Sequence, residues 1–214
     1  MSFFSFNMIV LAGLTGTGKT LLLERFAQYN YPIIHLEKLA GHKGSVFGDL
    51  GIDSLPPDQK TFNASLELVY QQYNASPIVF TEHEAPAIGK RRIPEWFYNL
   101  IENGFIIYID LPKSERIKLL KKEYGHYDPY LVSKAVDKLS DRIPAVIVTK
   151  LKEYLFHNDF DQFTDCILNY YDQSNHYVTI RNKAKILLEF PEFNPEEITS
   201  KILNMLKQFN FPVL

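Results

Sequence analysis

Apolar runs and helical patterns alternate along the first half of the chain. Continuous apolar runs occupy residues 8–12, 32–34, 77–82 and 105–110. Such short runs are typical of strands that are buried on both faces of a sheet. Between them, apolar residues recur at helical spacing, as Phe62, Leu66 and Val69 do within residues 58–73. The pattern predicts an α/β fold in which parallel strands are joined by helices.

The second half of the chain shows mainly helical spacing. Helical patterns cover residues 114–124, 131–139, 145–156 and 160–171. A last helix is predicted after Asn194, because this capping residue is followed by Pro195 and by Glu197. We expect a single domain over residues 1–214, with an α/β core at about 8–112 and a mainly helical part at about 113–214.

Composition narrows the class of protein. The hydrophobic content of 46% is enough for one full core, and the net charge of −2 argues against a uniformly basic nucleic-acid binder. The single cysteine, Cys166, lies among apolar residues and is interpreted as a core residue. No apolar run approaches the roughly 18 residues of a membrane span, and residues 1–7 lack a basic targeting region. We expect a cytoplasmic protein with no membrane partner.

The strongest chemical signal follows the first predicted strand. Gly13, Gly18, Lys19 and Thr20 occupy the fixed positions of G-x-x-x-x-G-K-[ST], directly before a helical pattern. Glycines let successive N–H groups turn inward and bind phosphate at a helix N-terminus. Lys19 would contact the terminal phosphates and act in catalysis, and the Thr20 hydroxyl would bind Mg²⁺. The predicted cofactor-binding residues are Gly13, Thr15, Gly16, Thr17, Gly18, Lys19 and Thr20.

Acidic residues stand at the ends of two predicted strands. Glu82 and Glu84 follow the run at 77–82, and Asp110 ends the run at 105–110. The carboxyl ends of parallel strands form the edge at which ligands bind. An acid there could hold Mg²⁺ through water or steer an attacking group, so Glu82 and Glu84 are predicted catalytic residues.

Two polar segments are candidates for substrate or nucleic-acid binding. Residues 41–51 form a glycine-rich segment that predicts a loop over the phosphates, and residues 88–94 form a basic turn. The candidate contact residues are His42, Lys43, Ser45, Gly89, Lys90, Arg91 and Arg92. The helical pattern that follows Asp110 carries the densest predicted basic surface, which consists of Lys113, Arg116, Lys118, Lys121 and Lys122.

Four segments together resemble the P-loop domain of the tRNA 2-selenouridine synthases. They read GLTGTGKTLLLERF, HLEKLAGHKGSVFG, FTEHEAPAIGKRRIPEWFY and YYDQSNHY, in the family's order, and they cover residues 8–177. The resemblance implies a P-loop NTPase-like parallel sheet with helices on both faces and a helical C-terminal third. It also implies a transferase that replaces sulfur by selenium at C2 of the tRNA wobble uridine. Selenophosphate would be its co-substrate, geranyl diphosphate would form an S-geranylated intermediate, and Mg²⁺ would accompany geranyl diphosphate, ATP or GTP.

The chain departs from the family in two respects. Glu84-Ala85-Pro86 stands where the family has Glu-Ser-Arg, and the family's rhodanese-like domain with its catalytic cysteine has no counterpart before the phosphate loop. Cys166 is a poor replacement for that cysteine. We therefore expect the P-loop subunit of a split enzyme, which acts on tRNA with a separate rhodanese-domain partner.

Two other classes of function stay open at this point. The phosphate loop, Asp110 and the basic helix after it also suit a small-molecule kinase of the nucleoside-kinase type. A kinase lid needs convergent arginines, however, and Arg116, Arg142 and Arg181 are dispersed along the chain. The third possibility is a binding module in which a nucleotide orders residues 41–51 and so controls the docking of a partner.

Overall fold

The computed structural model describes residues 7–213, with the exception of residues 53 and 74. The strands are β1 (Asn7–Ala12), β2 (Ile33–Ile34), β3 (Ile78–Glu82), β4 (Ala87–Ile88), β5 (Arg91–Arg92), β6 (Phe105–Asp110) and β7 (Ile186–Glu189). The helices are α1 (Lys19–Gln28), α2 (Leu36–Ala40), α3 (Gln59–Gln72), α4 (Glu95–Glu102), α5 (Lys113–Tyr124), α6 (Pro129–Asp137), α7 (Ala145–Phe156), α8 (Phe160–Asp172), α9 (Asn175–Lys183) and α10 (Pro195–Gln208).

Five strands form one parallel sheet in the order β2-β3-β1-β6-β7. The central strand β1 pairs with β3 on one side and β6 on the other, and its residues from Met8 to Ala12 are buried. The carboxyl ends of these three strands lie on one edge of the sheet, because their pairings are parallel and in register. That edge receives Ala12, Glu82 and Asp110, and the phosphate loop leaves from it.

Helices cover both faces of the sheet, as predicted. Ile9 and Leu11 of β1 pack in one hydrophobic cluster with α1 and α10, through residues such as Phe26 and Ile202. The alternating positions of β1 pack in a second cluster with α3 and α4, through residues that include Phe62 and Phe97. The alternation follows from strand geometry, in which successive side chains point to opposite faces. Both faces of the sheet are covered by buried apolar side chains, which explains the continuous apolar runs of β1, β3 and β6.

A third hydrophobic cluster holds the helical part of the chain together. Val136 of α6, Leu151 of α7 and Phe163 of α8 are buried in it. Tyr124 at the end of α5 and Phe47 of the loop 41–51 join the same cluster. The predicted helical C-terminal part is therefore present, and it packs beside the phosphate loop.

Five elements of the structure are not predicted by the sequence pattern: α2, β4, β5, α9 and β7. The strand β7 extends the sheet beside β6, but its four residues alternate between buried and exposed. Such a short alternating stretch lacks the continuous apolar run that reveals the inner strands. The final helix begins as predicted, because the Asn194 side chain accepts hydrogen bonds from the backbone of Glu196 and Glu197.

The predicted basic surface on α5 is largely neutralised. Arg116 is 3% exposed and forms a bidentate pair with Asp172. The amino group of Lys113 pairs with Asp165, that of Lys118 with Glu115 and that of Lys121 with Asp161. The prediction was wrong for Arg116, which is buried, because helical spacing does not show which carboxylates α8 brings to the same side. Lys118, Lys121 and Lys122 are exposed.

None of the helices in the described part of the chain is both long and apolar enough to cross a bilayer. The prediction about N-terminal targeting concerns residues 1–7, and residues 1–6 lie outside the described residues. Cys166 is half-buried at the edge of the third cluster, and burial raises the pKa of its thiol. The thiol is thus held in its protonated, less nucleophilic form.

Candidate functional site

The phosphate loop connects β1 to α1 through glycines whose backbone conformation other residues rarely adopt. Gly16 and Gly18 have φ angles of 81° and 76°. A Cβ atom at Gly18 would also run into the ring of Phe193. Thr17 is fully buried, and its hydroxyl donates to the Leu14 carbonyl at 2.9 Å, which closes the turn. The loop is therefore a rigid cradle at the N-terminus of α1, where backbone N–H groups favour an anion.

Lys19 and Thr20 begin α1 and extend into the cradle. The Lys19 Nζ donates to the Gly13 carbonyl at 3.2 Å, and the Thr20 hydroxyl donates to Glu37 Oε2 at 3.1 Å. A hydroxyl and a carboxylate are the hard oxygen donors that Mg²⁺ prefers beside a phosphate. The residues present thus fit Mg²⁺, which Thr20 would bind, with Glu37 close enough to share it through water.

Three glutamates lie together behind and beside this cradle. Glu82 is 1% exposed, and its Oε1 accepts a hydrogen bond from the Glu37 backbone at 3.1 Å. Burial, with the charges of Glu37 and Glu84, raises the pKa of Glu82 to about 8. Burial and Glu37 also raise the pKa of Glu84 to about 7, against the lowering effect of Lys19. At neutral pH Glu82 is therefore mainly protonated, whereas Glu84 is about half ionised. The two acids predicted as catalytic occupy different positions, because Glu84 lines the cavity and Glu82 supports Glu37 from behind.

Residues 41–51 form the predicted loop, and His42 joins it to the hairpin of β4 and β5. Cβ atoms placed on Gly48 and Gly89 would each fall within 2.7 Å of the His42 ring, so the imidazole lies between these glycines. Lys43 pairs with Glu123 at 3.2 Å, and the Ser45 hydroxyl accepts from the Phe47 backbone at 3.2 Å. His42, Lys43 and Ser45 line the cavity. Gly89, Lys90, Arg91 and Arg92 lie on the hairpin, outside the cavity lining, where Lys90 and Arg92 are exposed.

A cavity of about 820 Å³ extends from the phosphate loop into the helical part. Its polar end consists of residues 13 and 15–20 of the loop with Glu37, Glu84 and Lys43. Its other wall is mainly apolar and comes from α5, α6 and α8, with the side chains of Leu119, Leu120, Val132, Phe160, Phe163, Ile167 and Leu168. Lys122, Glu123 and Thr164 of the same helices also line the cavity. The arrangement can hold a molecule with an anionic head and a hydrocarbon body.

Segment 170–177 closes the side of the phosphate loop, which the spacing of the sequence did not indicate. The Thr15 hydroxyl and the Tyr177 hydroxyl are 2.6 Å apart and hydrogen-bonded. Arg116 donates to the Thr15 carbonyl at 3.1 Å while Asp172 holds its guanidinium at 2.9 and 2.6 Å. The available signal was the YYDQSNHY segment, whose Asp172 and Tyr177 make these contacts.

His83 was not among the predicted site residues. It lies between Glu82, which ends β3, and Glu84 in the turn that follows. The His83 Nε2 lies 2.9 Å from Glu102 Oε1, and Glu102 Oε2 accepts from Lys183 at 2.5 Å. Burial lowers the pKa of His83 to about 4, against the raising effect of Glu102 and with help from His176 and Lys19. His83, His176 and Tyr177 all line the cavity.

A five-stranded parallel sheet with G-x-x-x-x-G-K-[ST] between its central strand and the following helix defines a P-loop protein. Residues 6–137 match the family model of the tRNA 2-selenouridine synthase AAA domain. The chain belongs to this family, as its four motif segments predicted.

Relatives in the family cover different shares of the chain. The tRNA 2-selenouridine synthase of Nitrosomonas europaea is 32% identical over 121 residues, which are 55% of this chain and 31% of that protein. The enzyme of the same name from Aeromonas salmonicida is 30% identical over 190 residues, or 84% of this chain and 49% of that protein. The chain thus spans about a third to a half of the curated relatives it matches. Among solved structures, shikimate kinase from Acinetobacter baumannii in complex with shikimate aligns over 97% of this chain and 96% of its own, with a TM-score of 0.47 and 12% identity.

Proposed function

We propose that this chain is the phosphate-binding unit of a tRNA 2-selenouridine synthase and that its substrate in the cavity is geranyl diphosphate. The observation that carries the proposal is the cavity itself, in which the phosphate loop faces an apolar wall of seven side chains. A nucleotide needs polar partners for its ribose and base, whereas a prenyl chain needs an apolar surface of this kind. Family membership supports tRNA as the second substrate.

The proposed reaction transfers the geranyl group to sulfur. The S2 atom of a 2-thiouridine attacks C1 of the geranyl group, the new C–S bond forms and the C1–O bond to diphosphate breaks. Negative charge grows on the leaving diphosphate, where Lys19 and the N–H groups of residues 13–20 stabilise it. Mg²⁺ bound at Thr20 would neutralise the same charge. Glu84, at the polar end of the cavity, is the proposed final acceptor, through water, of the base proton released in this step.

Selenium then replaces sulfur in the proposed sequence. The selenium atom of selenophosphate adds at C2 of the base, geranyl thiol leaves as the C2–S bond breaks, and water then cleaves the Se–P bond and releases phosphate. A rhodanese-like domain would carry the cysteine for this step, and we propose that it is a separate partner. The cysteine of this chain supports the need for one, because Cys166 is half-buried, has a raised pKa and does not line the cavity. The reaction would take place in the cytoplasm, with tRNA.

Calorimetric titrations of geranyl diphosphate, ATP and GTP, each with Mg²⁺ and with or without tRNA that contains 2-thiouridine, test the proposal. We expect geranyl diphosphate to bind at least about tenfold more tightly than inorganic diphosphate, because the apolar wall adds to the phosphate contacts. Tight ATP binding without a prenyl preference would contradict the proposal. Transfer of the ATP γ-phosphate to a small metabolite would favour a kinase, and protection of residues 41–51 from protease by nucleotide, with no product, would favour a binding module.

A further inference from the structure

His83 lines the cavity with a side chain that is only 3% exposed and is held by a hydrogen bond on one edge of its ring. Its Nε2 is engaged by Glu102 at 2.9 Å, and Nδ1 has no partner among the described residues. Glu102 accepts from Lys183 as well, and these contacts lower the pKa of Glu102, so its carboxyl is an acceptor only. Nε2 must therefore carry the ring proton, which leaves a lone pair on Nδ1.

The charged and titratable groups around His83 keep it in this state. Glu102 on α4, His176 on α9 and Lys19 on α1 are the groups whose charges act on the ring, and Lys183 on α9 acts through Glu102. Burial is the largest influence and opposes a second proton on the imidazole. The imidazole of this cavity-lining residue is thus neutral at neutral pH, with its free acceptor at Nδ1.

Aromatic rings next to His83 make the same end of the cavity suitable for a planar ligand. The centroids of the His83 and His176 rings are 5.3 Å apart, and those of His176 and Tyr177 are 5.8 Å apart. Tyr177 is bonded to Thr15 of the phosphate loop, so the rings stand beside the diphosphate site. Unstacked bases bind to proteins on such ring surfaces and are read by hydrogen bonds to their edges.

We propose that Nδ1 of His83 accepts a hydrogen bond from N3–H of a uracil-type base and so selects it over a cytosine-type base. A uracil ring carries a donor at N3, whereas the cytosine ring carries a lone pair there, which would face the lone pair of His83. Glu102 and Lys183 are positioning residues, because they fix which ring nitrogen carries the proton. The inference rests on the proposed function, since it takes RNA as the second substrate.

Binding of two RNA stem-loops tests the inference. The two differ in one unpaired base, 2-thiouridine or 2-thiocytidine, so that sulfur is common to both and the N3 edge is not. We expect the full chain to bind the 2-thiouridine loop about tenfold more tightly. The 2-thiouridine base gains one hydrogen bond to Nδ1, whereas the 2-thiocytidine base places a second acceptor opposite it. An equal affinity for the two loops would overturn the inference and leave the proposed RNA substrate intact. If neither loop binds while geranyl diphosphate does, this inference and the proposed RNA substrate both fail.

Variants of His83 and Glu102 test whether the base preference depends on Nδ1 of His83 and on the tautomer of its ring. H83N keeps an amide near the position of Nδ1, and H83Q places its amide near Nε2 instead, so we expect only H83N to retain the preference. E102Q can donate to the ring and release Nδ1–H, which should reduce the preference to about threefold or less. Diphosphate binding, which depends on residues 13–20, reports folding of each variant, and K183M repeats the test if E102Q fails to fold. A preference that is unchanged in both H83Q and E102Q would overturn the assignment.

Discussion

Lys19 shows how far a single residue can be understood from its neighbours in sequence. The motif predicted its position, and the structure adds that its amino group contacts the Gly13 carbonyl at 3.2 Å. The carboxyls of Glu82, which is buried, and of Glu37 and Glu84, which are half-buried, lie nearby. Burial raises the pKa of Glu37 and of Glu84, and the charge of Lys19 opposes this rise. The amino group is thus the charge that balances this cluster until an anion enters. Contacts such as His83 with Glu102 were not predictable, because the two residues lie on different elements and share no motif.

We predict that K19A removes most of the affinity for diphosphate. The variant loses a charge-assisted hydrogen bond to the anion and leaves Glu37 and Glu84 facing it, so affinity should fall about ten- to a hundredfold. Calorimetry with Mg²⁺ and geranyl diphosphate measures the change. K60A, at an exposed position on α3, is the matched control. Equal affinities for K19A and wild type would refute the cradle assignment.

Glu82 and His35 lie close enough for an ion pair, but neither group is charged at pH 7. Glu82 Oε2 and His35 Nδ1 are 3.7 Å apart. Burial raises the pKa of Glu82 to about 8 and lowers the pKa of His35, so both are neutral at pH 7. A buried group whose charge is suppressed in this way makes stability depend on pH.

We predict that the free energy of unfolding falls as pH rises from about 6.5 to 9. The folded pKa of Glu82 is raised above its ordinary value of 4.5, so its contribution is fully present below pH 4.5 and is lost as pH rises through about 8. One such group contributes a slope of at most about 1.4 kcal/mol per pH unit. Urea unfolding at several pH values should give a flatter dependence for E82Q than for wild type, while the exposed E67Q keeps the wild-type slope. A steeper or unchanged slope in E82Q would disprove protonation of Glu82 in the folded protein. Below pH 6.5 the lowered pKa of His83 acts in the opposite sense, so the test belongs above it.

At the level of elements, apolar runs predicted the inner strands because both of their faces are covered. β1, β3 and β6 are continuous apolar runs, whereas β7 alternates and escaped prediction. The basic turn proved to be a hairpin of β4 and β5 around Gly89, whose φ is 56°. One end is anchored, since the backbone of Arg92 exchanges two hydrogen bonds of 2.8 Å with the Gln59 side chain. The hairpin therefore presents Lys90 and Arg92 on a rigid support next to the mouth of the cavity, where His42 contacts Gly89.

We predict that the hairpin cations contribute to tRNA affinity through phosphate contacts. R91A and R92A should each weaken tRNA binding and reduce the slope of log K against log salt by about 1. K207A on α10 is the control, because it removes a similar exposed charge from a helix far along the chain. Fluorescence anisotropy between low and moderate salt measures the slope. A slope that stays at the wild-type value in both hairpin variants would mean that Arg91 and Arg92 do not contact tRNA phosphates.

At the scale of the whole molecule, the phosphate loop and the helical part together make one cavity. Helical spacing predicted that α5, α6 and α8 are amphipathic, but it does not specify which surface their apolar faces cover. Part of those faces packs in the third cluster, and part lines the cavity next to Gly16, where a Cβ would lie 3.0 Å from Leu120. The size and polarity of the ligand space thus depend on contacts between distant elements, which a sequence read in order does not reveal.

The last prediction tests the apolar wall of the cavity separately from its phosphate loop. I167F enlarges a 3% exposed side chain that lines the apolar wall, so it should fill the room for a prenyl chain and leave the phosphate loop unchanged. We expect affinity for geranyl diphosphate to fall about tenfold while affinity for inorganic diphosphate stays within about twofold. V146F, at a position on α7 that is 70% exposed, adds the same ring outside the cavity and should alter neither. If I167F instead weakens ATP and inorganic diphosphate as much as geranyl diphosphate, the apolar wall supports the fold and is not a binding surface. A selective loss of the prenyl ligand would mean that the helical part of the chain determines what the phosphate loop holds.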